Sequence, residues 1–198
     1  MSTEAQLRRG RPGYDLQGIL DVAVTVFNTH GYDATTMDML AARLQLSKGA
    51  IYHHVTSKEQ LLELALDRAL DALEEVLEQS KDRGDAASRL AFLLEGAVGV
   101  LVRELSSVTL LLRLRGNSDV ERTAMGRRRV FDREVADLIA EAQRDGSIRT
   151  DIAPGVAERL LFGMLNSLTE WYRPEGAEDA ERLAADILTV ALDGLRAR

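Results

Sequence analysis

Apolar residues recur at the spacing of one helical face almost throughout this chain, and no stretch alternates as a strand must. Ile19, Ala23, Val26 and Phe27 fall at i, i+4, i+7 and i+8, the stripe of an amphipathic helix. Only three prolines occur in 198 residues, so few positions break a helix. The spacing predicts an all-α chain of about nine helices. They cover about 15–30, 36–44, a short piece from Ser47 to near Val55, 57–81, 85–105, a segment stopping at Gly116, 118–144, 151–171 and 178–195. Thr35 with Asp38, Ser57 with Gln60 and Ser118 with Glu121 have the spacing of capping boxes. Gly31, Gly84, Gly116 and Gly146 are the expected stops.

Several function classes fall away on composition. The chain has no cysteine, which removes disulfides, thiolate metal sites and a Cys nucleophile. Residues 62–198 contain no histidine, so no His-based catalytic site is expected there, and nothing marks a Ser or carboxylate site. His53 and His54 are adjacent, and neighbouring side chains on a helix point about 100° apart, so no metal site is expected. No cofactor is called for. No apolar run reaches the ~18 residues of a membrane span, and MSTEAQLRRGRPGYD lacks the apolar core of a signal peptide. A cytoplasmic protein with no membrane partner is expected.

Charge is unevenly distributed. The formal net charge is -7, yet residues 1–60 carry six basic and six acidic side chains and sum to zero. Within residues 35–58, Arg43, Lys48 and Lys58 face Asp38 alone. An N-terminal module that approaches an anion, attached to an acidic body, fits this asymmetry. The segment TTMDMLAARLQLSKGAIYHHVTSKEQL, residues 35–61, reads as helix, short turn, helix. Met39, Leu40, Leu44, Leu46, Ile51 and Val55 supply a small core. The exposed set is Thr36, Ser47, Lys48, Gly49, Ala50, Tyr52, His53 and Lys58. Small residues there let a helix enter a major groove, and hydroxyls and cations supply phosphate donors.

This stretch resembles the DNA-binding domain of the TetR family of bacterial repressors. The likeness rests on Gly31, Thr35-Thr36, Ala41, Ser47-Lys48-Gly49, Ile51-Tyr52-His53-His54 and Lys58-Glu59 in register. It implies a helix-turn-helix domain over 14–61 and a ligand-binding and dimerisation bundle over 62–198, after a flexible basic arm over 1–13. By the resemblance, Tyr52 and Lys58 hold phosphates, while Lys48, Gly49, Ala50 and His53 lie nearest the base edges, with Thr36 and Ser47 also facing DNA. The partner implied is a double-stranded operator, palindromic because two reading helices on a twofold axis read inverted half-sites. In the arm, Arg9-Gly10-Arg11-Pro12 resembles the core of an AT-hook. Arg9 and Arg11 are read either as minor-groove contacts or as part of a basic tail adding non-specific affinity.

The resemblance also implies a homodimer through the last two apolar faces, Leu160, Met164 and Leu168, then Leu183, Ile187, Val190 and Ala191. The alternative is that these faces complete a monomer's core. Residues 103–133 hold eight arginines against four acids. Arg128 falls on the apolar stripe of its helix and Arg127 flanks it. A buried guanidinium needs a partner, either an internal carboxylate such as Glu95 or Glu170, or an anionic ligand. LRLRGN, RRRVFD and NSLTEWYRP together resemble a TetR subgroup that senses acyl-CoA thioesters, nearest to regulators of phenylacetate breakdown. That resemblance implies a ligand set of Arg113, Arg115, Arg127, Arg128, Phe131, Asn166 and Trp171. Gly96, Gly99 and Gly163 are read either as room for an acyl tail or as close helix packing. The function expected is a repressor released from its operator by such a thioester. The alternatives are release by another hydrophobic ligand, such as a drug or free acid, and a non-sensing architectural DNA-binding protein.

Overall fold

The structure, a computed structural model, describes residues 15–174, 176 and 180–195. The arm, with Arg9 and Arg11, lies outside the described residues. All regular elements among the described residues are helices. The chain divides into two compact units between Leu61 and Leu62.

The first unit contains α1 (Leu16–His30), α2 (Met37–Leu44), α3 (Lys48–Tyr52) and the start of α4 (Lys58–Ser80). Asp15 Oδ1 accepts from the Gly18 N–H at 2.9 Å and starts α1. Gly31, at φ 83°, ends it, a conformation that costs glycine little. Ile19, Ala23, Leu40 and Ile51 are fully buried, and Phe27, Leu44 and Val55 nearly so, so each helix seats its apolar stripe on one small core. The α2–α3 turn depends on Gln45, which is left-handed at φ 54°, ψ 37°, and on the Leu46 N–H reaching Ala41 O at 3.0 Å.

The α2 cap differs from the sequence reading. Thr36 is the N-cap, its Oγ1 accepting from the Met39 N–H at 3.2 Å. Thr35 is fully buried and donates its hydroxyl to Gly31 O at 2.8 Å. Asp38 therefore has no capping-box role, because its expected partner faces inward.

The second unit holds the rest of α4, then α5 (Ala86–Arg103), α6 (Leu105–Leu112), α7 (Asp119–Arg144), α8 (Pro154–Asn166), α9 (Leu168–Trp171) and α10 (Ala180–Leu195). α5 lies at its centre, packed by α7, α8 and α10, through buried Leu90, Leu94, Ala97, Val98 and Leu101. A Cβ on Gly96 would lie 2.3 Å from Val76 Cγ1, so this glycine serves close packing of α5 against α4. Gly163, by contrast, has nothing within 4 Å of a Cβ.

Two local features depart from the pattern read in the sequence. Helicity expected over 151–171 is interrupted at Ser167. Its hydroxyl donates back to Met164 O at 2.7 Å, a bond that competes with regular helical pairing and bends helices. The second concerns Glu121. Ser118 caps α7 through the Glu121 N–H at 3.2 Å, but the Glu121 carboxylate does not close a capping box. Its Oε2 instead accepts from three successive backbone N–H groups, Arg115, Gly116 and Asn117, at 3.1, 2.7 and 3.0 Å. Glu121 is thus a buried acid that fills a backbone nest and fixes the turn carrying Arg113 and Arg115.

Candidate nucleic-acid interface

α3 is five residues long and is oriented by what it buries. Ile51 is fully buried, which directs Lys48, Gly49, Tyr52 and His53 to the outside, with Ala50 half-buried. Ser47 starts the helix by accepting the Ala50 N–H on Oγ at 3.1 Å. Tyr52 is 47% exposed, so its ring and hydroxyl are open to a partner. A Cβ on Gly49 would meet only Ser47 Oγ, at 3.8 Å, so internal packing does not require glycine there. His53 and His54 stack edge-to-face at 5.6 Å. Thr36, at the start of α2, is exposed, so hydroxyls, a cation, a phenol and an imidazole share the exposed surface of α2 and α3.

Two cations of the predicted DNA-facing set have partners within the chain. Lys48 Nζ lies 2.8 Å from Asp38 Oδ2, and both side chains are well exposed. The Asp38 carboxylate raises the basicity of that ammonium. Lys58, the other cation expected to reach phosphate, also has partners within its own unit. Its Nζ donates to Tyr32 O and Thr35 O, both at 2.8 Å, and lies 4.2 Å from the centre of the Tyr32 ring. Two carbonyls of the α1–α2 connection hold this ammonium, so Lys58 fastens the start of α4 to that connection.

The residues expected to hold a ligand are dispersed within the second unit. The Arg127 guanidinium contacts carboxylates of α4. Nε and Nη2 reach Glu74 Oε1 and Oε2 at 2.9 and 2.7 Å, Nη1 reaches Asp67 Oδ1 at 2.8 Å, and Nη2 reaches Asp71 Oδ1 at 2.5 Å. Its basicity is raised, chiefly by the bonds to Glu74. Three carboxylates thus surround Arg127, a residue expected to grip an anion. Its neighbour Arg128 acts on the carboxyls of Asp132 and Glu158. Burial pushes both of those carboxyls above their ordinary range.

Arg127 and buried Phe131 line an open groove of about 380 Å³ whose other charges are Glu74, Glu78, Glu134 and Lys81. Its acidic balance disfavours a phosphate. Asn166 instead lines a cavity of about 30 Å³ with Leu73, Ala97, Leu101, Phe162 and Leu165. Trp171 is 49% exposed, its Nε1 donating to Ser167 Oγ at 3.3 Å. Arg113 and Arg115 are exposed at the end of α6 and in the following turn.

The expected dimer faces separate into an outer and an inner set. Leu160 and Val190 are 62% and 65% exposed, while Met164 and Leu183 are half-buried. Leu168, Ile187 and Ala191 are at most 8% exposed and belong to the core of the second unit. Val156, one turn before Leu160, is a large exposed apolar residue that the sequence reading missed. Its i−4 relation to Leu160 was the available signal.

A short reading helix set on a three-helix core, followed by a separate helical body, defines the class of helix-turn-helix regulators. The family model for bacterial regulatory proteins of the tetR family matches residues 19–65, and the tetracyclin repressor-like C-terminal domain matches residues 83–195. The chain belongs to the TetR family and is a DNA-binding transcriptional repressor, not an enzyme. It is 43% identical to SCO3833 of Streptomyces coelicolor A3, a TetR-family regulator, with a TM-score of 0.83 over 95% of this chain and 100% of that one. It is 28% identical to the transcriptional repressor KstR2 of Rhodococcus jostii over 89% of each chain. The fold also matches AibR, solved in complex with isovaleryl coenzyme A and operator DNA, at a TM-score of 0.74, 24% identity and coverage of 88% and 96%. No helix among the described residues is long and apolar enough to cross a membrane.

Proposed function

We propose that the chain acts in the cytoplasm as a homodimer on a palindromic operator, and that an acyl-CoA thioester releases it. The observation that carries the effector class is the apolar cavity of the second unit. Its lining is hydrocarbon apart from Asn166, which suits an acyl tail whose thioester or amide meets one polar side chain. The cavity of about 30 Å³ must open to admit that tail, so ligand and closed core compete, as a released repressor requires. Arg113 and Arg115, exposed at the end of α6 and in the turn after it, are assigned to the phosphates of the coenzyme. Thr36, Ser47, Lys48, Gly49, Ala50, Tyr52 and His53 make the DNA contacts, and Val156, Leu160 and Val190 lie at the twofold interface. The isovaleryl coenzyme A complex of AibR supports this effector class.

The test is fluorescence anisotropy on a duplex selected from a random-sequence pool by the protein itself. Isovaleryl-CoA, phenylacetyl-CoA, palmitoyl-CoA, free coenzyme A and the free acids are added in turn. One thioester should weaken duplex binding roughly 5–150-fold, the range of ordinary allosteric coupling, with the matching free acid inert. Release by a free acid alone would transfer the reading to hydrophobic acids. Indifference to every compound would overturn it.

A further inference from the structure

Asp38 is an acid on a surface meant for a polyanion; it sits in the first turn of α2, where a carboxylate suits the helix N-terminus, but it makes no cap. Thr36 caps α2 without it, and its side chain is 75% exposed, outside the core. Among the described residues its ion-pair contact is Lys48, at 2.8 Å, across the α2–α3 turn. A carboxylate there repels phosphate, so its presence lowers general affinity for DNA.

A lysine has a flexible four-carbon stem and a compact charge, so an unrestrained Lys48 can reach whichever phosphate is near. Phosphate contacts add affinity without sequence information, whereas base-edge contacts carry it. Lys48 opens the reading helix, and Tyr52 lies one turn on. An ammonium bonded to Asp38 has one donor engaged and its stem fixed across the turn. Two donors remain for an acceptor presented on the same face.

We infer that Asp38 is a positioning residue for sequence discrimination: it restrains the Lys48 ammonium from the backbone phosphates of unselected DNA and presents it to a base edge of the operator. This deepens the DNA-contact reading above and rests on it. On unselected DNA the restraint costs a phosphate contact in each head. On the operator it orders the side chain in advance, so little is lost.

The experiment uses the selected duplex and a second of the same length and composition in shuffled order, each titrated against salt. Asp38→Asn should raise affinity for the shuffled duplex roughly tenfold at low salt. It should steepen that salt slope by about 0.9 for each head whose lysine gains a phosphate. Binding to the selected duplex should change less than about threefold, so the discrimination ratio falls. Asp38→Glu should restore both slope and ratio, and adding Lys48→Met to Asp38→Asn should abolish the gain on shuffled DNA. Equal gains on both duplexes, or a gain that persists without Lys48, would overturn the inference. If Lys48→Met alone changes neither duplex, the DNA-contact reading itself fails. If Lys48→Met weakens binding while Asp38→Asn does nothing, only the present inference fails.

Discussion

Lys48 in the reading head and Arg127 in the body are both cations that join two helices, and they are held differently. Lys48 meets one carboxylate, and both partners are about half exposed or more. Arg127 meets three carboxylates spaced along one face of α4, and its side chain is 28% exposed. An exposed single pair is screened by water and salt and changes partner easily. A guanidinium fork with two bonds to one carboxylate and further acids beside it gains from geometry as well as charge. The number of acids and the access of water therefore separate a cation whose bond exchanges readily from one that fastens helices together.

The largest test of that contrast is Arg127→Ala. It leaves Asp67, Asp71 and Glu74 on one helical face without their common partner. Removing one member of a buried pair costs about 3–5 kcal/mol and of an exposed pair about 0–1 kcal/mol. For a guanidinium 28% exposed, the expected loss is about 2 kcal/mol, read by urea unfolding. Arg127→Lys should recover part of it, since a point charge cannot reproduce the fork. A loss below about 0.5 kcal/mol would place Arg127 with Lys48 and erase the distinction. Lys58 is the intermediate case, a cation of the head held by carbonyls. Lys58→Met should cost about 1 kcal/mol, the net worth of a hydrogen bond or two, and should weaken binding to the selected duplex because α4 loses its anchor to the α1–α2 connection.

Arg128 sharpens the comparison from the other side. It lies near Asp132 and Glu158, yet burial dominates and both carboxyls are raised above their ordinary range. A carboxyl raised in the folded state contributes stability that is fully present below its unfolded pKa and is lost as pH rises through the folded value. Stability should therefore decline from these two groups as pH rises from the ordinary carboxylate range toward neutrality. Glu158→Gln should flatten that decline and stabilise the protein at pH 7, by less than Arg127→Ala destabilises it. Thermal melts across pH 4–8 check the sign. If Glu158→Gln lowers stability at neutral pH, then Arg128 offsets the burial of Asp132 and Glu158.

Much of the fold was legible because helix ends are local chemistry. Asp15, Ser47, Asp85 and Ser118 each accept a backbone N–H three residues on, and side-chain type with spacing is enough to expect that. The exposed set on α3 followed from which residues its small core could use. Choices between equivalent neighbours were not legible. Thr35 and Thr36 are chemically equal caps, and only packing against α1 buries one of them. Ile187 and Val190 are both apolar residues of α10, and which faces inward depends on where α5 lies. The partners of Arg127 are 53–60 residues distant in sequence, so its own helix could not identify them. The signal was on α4, where Asp67, Asp71 and Glu74 fall at i, i+4 and i+7.

The smallest expected effect is on stability at Asp38. Asp38→Asn removes an ion pair between exposed side chains, whose attraction is offset by the entropy of holding a long lysine in one place. Its urea midpoint should match that of the unaltered protein at both low and high salt, while Arg127→Ala stays destabilised at both because its partners are less exposed to screening. The contrast matters because the same substitution is expected to change discrimination between DNA sequences. A pair that contributes little to folding and much to selectivity is a pair whose bond is meant to be exchanged. If Asp38→Asn lowers the urea midpoint as far as Arg127→Ala does, the carboxylate is a structural fastener of α2 to α3. Its effect on DNA would then follow from a disturbed head, not from the placement of one ammonium.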